Sequence, residues 1–184
     1  RTKCSQFTGM EIQEESAEMA KRSVALNDLE QKVDIVTGDI KQATDLFGGS
    51  VFDVVTSNPP YMHAGGGLQN PSDTKAIARH EILCTLEDVV KNAAKVLKPS
   101  GRFYMVHRPQ RLADIICTLR QYGLEPKRLR FVHSYVEKPP TMVLVEAVRG
   151  GKAMLKAQPP LVIYEKTNVY TKEIYDIYYG EGQA

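Results

Sequence analysis

A short apolar run that ends in a double proline constrains the fold of this chain more than any other feature. Residues Phe52–Ser57 have the sequence Phe-Asp-Val-Val-Thr-Ser, which predicts a buried strand. The next four residues are Asn58-Pro59-Pro60-Tyr61. Each proline fixes its own φ and favours an extended conformation for the residue before it. The sequence therefore predicts a strand that stops abruptly, with a stiff polar turn at its carboxyl end.

This turn contains the groups needed to hold a planar amino group. The side-chain oxygen of Asn58 and the carbonyl oxygen of Pro59 are both acceptors, and the prolines restrict their directions. Together they can bind both hydrogens of an NH₂ group and turn its lone pair out of conjugation. The ring of Tyr61 can stack on the flat group that carries the amine. The alternative is a proline-stiffened loop without a chemical role.

Two earlier predicted strands end next to carboxylates. The strand predicted over Phe7–Ile12 has the acid Glu11 near its end and is followed by an amphipathic helix over about residues 13–29. The strand predicted over Val33–Thr37 is followed by Gly38 and Asp39. In doubly wound sheets, ligands bind outside the carboxyl ends of the strands. A carboxylate at the end of one such strand, here Glu11, commonly binds ribose hydroxyls. A carboxylate at the end of the next strand, here Asp39, can accept from an adenine amino group. The alternative is that each acid is a solvated strand end or a helix N-cap.

The order of these segments resembles a known family, the class I S-adenosylmethionine-dependent methyltransferases that act on amino groups. The matching segments are Gly9-Met10-Glu11-Ile12, Gly38-Asp39-Ile40 and Ser57-Asn58-Pro59-Pro60-Tyr61. More narrowly, the chain is similar to bacterial enzymes that methylate N6 of the adenine beside the anticodon of valine tRNA. Further similarity lies in Glu11–Gln13, Arg22–Asn27, His107–Pro109, Arg149–Lys152, Leu161–Tyr164 and Tyr170–Glu173.

The resemblance implies a fold, a cofactor and a set of site residues. The implied fold is an α/β, Rossmann-like sheet that is mostly parallel and closes with a C-terminal antiparallel hairpin. The implied cofactor is S-adenosylmethionine, with tRNA as the partner. The residues implied for cofactor binding are Glu11, Ile12, Asp39, Ile40 and Asn58. The residues implied for catalysis are Asn58, Pro59, Pro60 and Tyr61.

The resemblance also implies a first strand and a glycine-rich turn that have no counterpart here. Arg1–Gln6 resembles the end of the helix that follows that turn, and Gly48-Gly49 and Gly65–Gly67 come after later elements. We interpret the chain as lacking the first strand, which would lie between the strands that begin at Phe7 and Phe52. We therefore expect weak cofactor binding, or none, by this chain alone.

The composition is that of an ordinary globular protein. The chain has 184 residues, of which 42% are hydrophobic and 25% are charged. Its apolar runs are all shorter than the roughly 20 residues that a membrane-spanning helix needs. The three cysteines, Cys4, Cys84 and Cys117, are scattered and lack the spacing of metal ligands. These observations predict a cytoplasmic protein with reduced thiols, no metal and no membrane partner.

The positive charge is concentrated late in the chain. Net charge is −3 over residues 1–100 and +5 over residues 101–184. Eight basic residues occur between Lys98 and Arg130, opposed in that segment by Asp114 and Glu125 alone. We expect Arg108, Arg111 and Arg149 to bind tRNA phosphates, with the first two at the same edge as Asn58. The alternative is a solvated helix face and charged strand edges.

The remaining segments complete the predicted organisation. The long loop Met62–His80 contains three successive glycines and is expected to be a mobile lid over the target base. A helix is predicted over about Leu86–Leu97, with Lys98–Gly101 as its stop signal, and Arg102–His107 is predicted as the next strand.

Two late strands, Lys127–His133 and Met142–Val148, predict the antiparallel hairpin. We assign residues 1–150 to a catalytic domain and residues 151–184 to an arm that packs on it.

Three functions other than tRNA methylation remain open at this point. A glutamine side-chain amide of a release factor also fits the Asn-Pro-Pro-Tyr turn, and so does an amino group of DNA adenine or ribosomal RNA guanine. A non-catalytic RNA-binding fragment is the alternative of another class. Cytosine C5 methylation is disfavoured because the chain has no cysteine next to a proline at the required position.

Overall fold

The computed structural model describes residues 4–59 and 84–180. Pro60, Tyr61 and the predicted lid Met62–His80 lie outside the described residues. The chain divides into two units, Arg1–Gly48 and Gly49–Ala184. Within the described ranges, no helix has both the length and the apolar character required to cross a membrane.

The first unit is a strand–helix–strand arrangement. Strand β1 (Phe7–Glu11) leads into helix α1 (Glu14–Leu26), and strand β2 (Val33–Thr37) follows. A short 3₁₀ helix (Ile40–Gln42) and helix α2 (Ala43–Phe47) complete the unit. β1 and β2 pair in parallel without a bulge, so their carboxyl ends coincide. Both strands and α1 occur where the apolar patterns predicted them.

Packing in the first unit brings the helix and strands close together. Ala17 is the fully buried residue of α1, and a β-carbon added at Gly9 would lie 2.8 Å from the Ile35 side chain. Two glutamates in the first turn of α1 suit its positive end. The helix stops at Asn27, and Asp28 then adopts a positive φ of 54°.

The second unit is built on one mixed sheet with the strand order β3-β4-β6-β5-β7. Its long strands are β3 (Phe52–Ser57), β4 (Leu97–His107), β5 (Leu124–His133) and β6 (Pro140–Arg149). β3 and β4 are parallel, whereas β6 runs antiparallel to both β4 and β5. This arrangement confirms the predicted C-terminal hairpin. It also makes β3, β4 and β5 end at the same edge of the sheet, which we call the carboxyl edge.

Strand β4 begins earlier than the apolar pattern predicted. Leu97 already pairs with Phe52, but the next registered pair joins Arg102 to Val54. The four residues between them form a bulge opposite Asp53, whose carboxylate lies 2.9 Å from Lys98 Nζ. The predicted helix stop at Lys98–Gly101 is therefore the start of a strand with an irregular first turn.

Two helices bury one face of this sheet. Helix α3 (Leu86–Val96) begins with a complete capping box between Thr85 and Asp88, and helix α4 (Leu112–Gln121) follows β4. Both helices have a strongly apolar face. The buried core between the helices and the sheet includes Val90, Ala93, Leu97, Phe103, Met105, Ile115, Leu119, Leu124, Val143 and Val145.

The opposite face of the sheet carries both polar and apolar side chains, with an ion-pair cluster at its centre. Glu146, on the central strand β6, is 6% exposed. Its carboxylate binds Arg102 of β4 at 2.8 Å and Arg128 of β5 through the second oxygen. Each arginine side chain is about half exposed, so the cations remain hydrated while the acid is enclosed. The single carboxylate thus links three adjacent strands.

Residues 156–180 form an arm beside β5. Strands β7 (Lys156–Ala157) and β8 (Leu161–Val162) pair with β5 in parallel, and β9 (Tyr164–Lys166) and β10 (Val169–Tyr170) form a small antiparallel pair. Helix α5 (Lys172–Tyr179) ends the arm. A second apolar cluster, centred on Val132, Leu161 and Ile174, attaches the arm to the sheet.

Candidate functional site

The carboxyl ends of β1 and β2 hold the two acids predicted to bind the cofactor. Gly38 N–H donates to the carbonyl oxygen of Glu11 at 2.9 Å, which ties the two strand ends together. Glu11 Oε1 accepts from the N–H of Gln13, and Asp39 Oδ1 accepts from the N–H of Lys41, both at 2.9 Å. The structure therefore places both carboxylates at one edge and orients each through a local backbone hydrogen bond.

The chemistry of this edge fits the nucleoside part of S-adenosylmethionine. Two carboxylates are suitable acceptors for ribose hydroxyls and for an adenine amino group. Ile12, 39% exposed, and the half-buried Ile40 come directly after the two acids and offer apolar contacts for a purine ring. Glu11, Ile12, Asp39 and Ile40 are the residues that could hold this part of the cofactor.

Asn58 lies at the carboxyl edge of the second unit, directly after β3. Ser57 pairs with Met105, so Asn58 lies level with the last residues of β4. Pro59 is buried. A cavity of about 550 Å³ lies along the sheet face that carries Glu146, with Asn58 at its wall and with Tyr104 and Glu146 also among the lining residues. Pro60 and Tyr61 are outside the described residues.

Arg108 and Arg111 also lie at the carboxyl edge, immediately beyond β4. Arg108 precedes a 3₁₀ turn (Pro109–Arg111) whose first position is a proline, and Arg111 is the last residue of that turn. Arg108 is exposed, and its guanidinium donates to the carbonyl oxygen of Thr141 at 3.2 Å. Arg111 is only 17% exposed and binds Asp114 at 2.7 Å. Of the two, Arg108 is the better placed to contact a phosphate.

The structure places Arg149 away from these residues. It ends β6, which runs antiparallel to β4, so it lies at the opposite edge of the sheet from Asn58. Its guanidinium donates to Ser50 Oγ at 2.8 Å and to the carbonyl oxygen of Leu97. These contacts fasten the start of β4 to the end of β6, which is a structural role.

Ion pairs neutralise much of the basic segment. Within the described residues, at least six of the eight cations between Lys98 and Arg130 contact a carboxylate, and four of these do so through distant acids, namely Asp53, Glu146 and Glu173. Counting only the acids within the same stretch of sequence, Asp114 and Glu125, understated this neutralisation. Strand pairing brings acids that are distant in sequence to the same surface. The net positive charge at the carboxyl edge therefore rests on fewer residues than the sequence suggested.

Comparison with known proteins assigns the family. Residues 1–121 match the model of the methyltransferase small domain. The chain belongs to this methyltransferase family. A relative from Porphyromonas gingivalis (strain ATCC 33277), named tRNA1(Val) (adenine(37)-N6)-methyltransferase, is 30% identical over 170 residues, which is 90% of this chain and 66% of the relative. A relative of the same name from Bacteroides thetaiotaomicron is 33% identical over 155 residues, which is 83% of this chain and 62% of the relative.

Solved structures agree with a methyltransferase fold. A protein from Agrobacterium tumefaciens described as a predicted O-methyltransferase superposes with a TM-score of 0.71 at 23% identity, covering 94% of this chain and 76% of that one. Geranyl diphosphate C-methyltransferase from Streptomyces coelicolor superposes with a TM-score of 0.56 at 12% identity, covering 79% and 63%. At these identities the likeness concerns the fold alone.

The buried environment of His107 in this methyltransferase domain was not predicted from the sequence. His107 is the last residue of β4 and is 1% exposed, on the same face as Phe103 and Met105. Its Nδ1 accepts from the N–H of Arg108 at 2.8 Å, so in the neutral ring Nε2 holds the proton. The two-residue period of a strand, which puts His107 on the same face as Phe103 and Met105, is the signal that could have located it on the buried face.

Burial lowers the pKa of His107, and the charges of Arg111 and Arg108 lower it further despite the opposing effect of Asp114. The unfolded chain then binds a proton that the folded chain rejects when the pH lies below the ordinary histidine pKa of about 6.5. The stabilising effect of a neutral His107 is complete above that pH and is lost as the pH falls through the lowered pKa.

We therefore expect the His107→Asn variant to lose less free energy of unfolding than the unchanged chain when the pH is lowered from about 7.5 to 5.5. Urea unfolding at both pH values measures this difference, and each protein serves as its own reference at the higher pH. Equal losses in the two proteins would show that His107 does not contribute to acid sensitivity.

Proposed function

We propose that this methyltransferase transfers a methyl group from S-adenosylmethionine to N6 of an adenine in tRNA, beside the anticodon. The observation that carries the proposal is the position of Asn58, directly after the carboxyl end of β3 in a domain of this family. The turn that begins there has the acceptors for an amino group. Relatives named tRNA1(Val) (adenine(37)-N6)-methyltransferase support this substrate, and the chain spans at most two thirds of their length.

The first unit would hold the nucleoside part of the cofactor. When bound, S-adenosylmethionine supplies an electrophilic methyl group. Glu11 and Asp39 would bind its hydroxyl and amino groups, since both carboxylates lie at the carboxyl ends of adjacent parallel strands. Ile12 and Ile40 would contact the purine. These four residues position the cofactor and take no part in bond making.

The second unit would hold the target base. Asn58 Oδ1 and the Pro59 carbonyl oxygen would accept the two N6 hydrogens, which removes the lone pair from conjugation and directs it outward. Tyr61 would stack on the adenine ring. An adenine has to leave its stack to reach such a turn, as the targets of base-modifying methyltransferases do. Catalysis would then depend on alignment of the amine more than on a shifted pKa.

Glutamine methylation of a release factor is the second candidate. The same acceptors fit a side-chain amide, and the ion pairs of the basic segment weaken the electrostatic preference for RNA over protein.

A tRNA substrate would require the activity to reside in the cytoplasm, in agreement with the prediction from the cysteines.

The decisive experiment is methyl transfer by the product of the complete reading frame. Purified protein is incubated with S-adenosylmethionine and with unmodified valine tRNA or a release-factor domain, and the products are digested for mass spectrometry. We expect N6-methyladenosine in the tRNA. Methylated glutamine without methylated nucleoside would establish the second candidate, and no transfer to either substrate would overturn the proposal.

A single phosphate contact by Arg108 makes a further prediction. We expect Arg108→Ala to weaken tRNA binding for all sequences alike and to reduce the slope of log affinity against log salt by about 0.7–0.9, one phosphate's share. Arg111→Ala should change the slope less, because Asp114 already neutralises that cation at 2.7 Å. The measurement is tRNA affinity over a range of salt concentrations.

Arg120→Ala is the matched control for Arg108→Ala. Arg120 has a 64% exposed side chain but lies near the end of α4, toward the edge away from Asn58. Its slope should equal that of the unchanged protein. If Arg108→Ala also leaves the slope unchanged, Arg108 is a solvated surface residue and does not contact phosphate.

A further inference from the structure

Six tyrosines of the second unit form a continuous row of ring contacts, which we call the tyrosine row. Neighbouring ring centroids lie 5.1–6.5 Å apart, and the pair Tyr164–Tyr170 is stacked with an interplanar angle of 17°. In order along the row, the members are Tyr135, Tyr164, Tyr170, Tyr175, Tyr179 and Tyr178. Such a row places several aromatic faces and edges along one surface.

The tyrosine row begins at the carboxyl edge of the sheet. Tyr135 follows the end of β5, which runs parallel to β3 and β4 because both β4 and β5 are antiparallel to β6. Tyr164 N–H donates to the carbonyl oxygen of Ser134 at 2.9 Å, which fixes the arm to this edge. β5 is three strands from β3, about 14 Å at ordinary strand spacing. The row therefore starts on the same edge as Asn58 and continues along the arm.

Packing of the arm does not account for the exposed rings. The arm is attached by the apolar cluster of Val132, Leu161 and Ile174 and by the ion pair of Arg130 with Glu173 at 2.6 Å. Three rings of the row nevertheless remain 41–62% exposed, those of Tyr170, Tyr178 and Tyr179. Exposed aromatic rings grouped on one surface indicate a binding site for a partner.

We propose that the tyrosine row stacks the unpaired bases that flank the methylated adenine. This inference rests on the proposed tRNA substrate and adds a second contact surface to it. Bases of single-stranded RNA stack on aromatic side chains with little preference for sequence. The charged side chains of residues 156–180 are balanced, with Glu165, Glu173 and Asp176 against Lys156, Lys166 and Lys172, so stacking rather than charge attraction supplies the binding.

The test measures the affinity of the product of the complete reading frame for an anticodon stem-loop RNA. Tyr170→Leu and Tyr179→Leu remove the aromatic face but retain an apolar side chain. Each is expected to weaken binding by about 5- to 150-fold, the range typical of one base stacked on an aromatic ring. Tyr170→Phe and Tyr179→Phe should bind as the unchanged protein does, because they keep the ring. Ile177→Ala, which alters an exposed apolar residue of the same helix, is the matched control.

A second RNA separates stacking from a structural effect. In this RNA the loop nucleotides on either side of the target adenine lack their bases. If the row stacks those bases, the leucine variants and the unchanged protein bind this RNA with equal affinity. Unchanged binding of the intact RNA by the leucine variants, or an equal loss on both RNAs, would overturn the inference. Methyl transfer to tRNA with such a result would leave the proposed function standing while the tyrosine row fails.

Discussion

In the product of the complete reading frame, Asn58→Ala is expected to lower the rate of methyl transfer by roughly 100-fold or more, a loss comparable to removal of one hydrogen-bonding group that acts in a transition state. The reason is that Asn58 would hold the amine in the orientation from which it reacts. Affinity for S-adenosylmethionine should change little, because Glu11 and Asp39 would provide most of the polar contacts to the nucleoside. Single-turnover rates and calorimetric cofactor binding measure the two effects separately.

Asn27→Ala is the control for this substitution. Asn27 is an exposed asparagine whose side chain donates to the carbonyl oxygen of Ser23 at the end of α1. Its loss should affect helix stability slightly and leave methyl transfer near the unchanged rate. A rate for Asn58→Ala equal to that of this control would eliminate the amine-holding role of Asn58.

Leu119→Ala is expected to destabilise the second unit by about 2–5 kcal/mol, the range seen when a buried leucine leaves a cavity. Leu119 is fully buried on the inner face of α4, in the core cluster that includes Phe103 and Ile115. Close packing around it prevents the neighbours from filling the space. Urea unfolding monitored by circular dichroism measures the change.

Leu26→Ala provides the same chemical change at an exposed position. Leu26 is the last residue of α1 and is 85% exposed. Surface substitutions of this kind usually change stability by less than about 0.5 kcal/mol. Similar losses for the two leucines would mean that Leu119 does not occupy a tightly packed core.

The elements with long apolar patterns were predictable from the sequence. β1, β2, β3 and α3 begin or end within a few residues of their expected positions, because each combines a clear period with a stop signal. The short strands of the arm were not predictable. β7 and β8 contain two residues each, too few to show a period, and they exist because the edge of β5 offers them hydrogen-bonding partners.

The candidate site was partly predictable for a similar reason. Parallel strands that end in polar residues bring those residues to one edge, so the placement of Glu11 beside Asp39, and of Asn58 beside Arg108, follows from strand direction. The position of Arg149 could not be predicted without the direction of β6, which is antiparallel to β4. The ion pairs of Glu146 and Glu173 depend on register and on the arm, which local patterns do not encode. The roles of the site residues themselves stay predictions.

The position of Glu146 has a consequence for how the hairpin selects its alignment during folding. A shift of β6 by one residue would move this carboxylate to the opposite face, among Phe103 and Met105, and would leave Arg102 and Arg128 facing each other without an acid. The shifted register would then be less stable for two reasons. The Glu146 carboxylate would be enclosed among apolar side chains without a cation, and the Arg102 and Arg128 cations would repel each other. The cluster therefore favours the observed register of β6 over a register shifted by one residue.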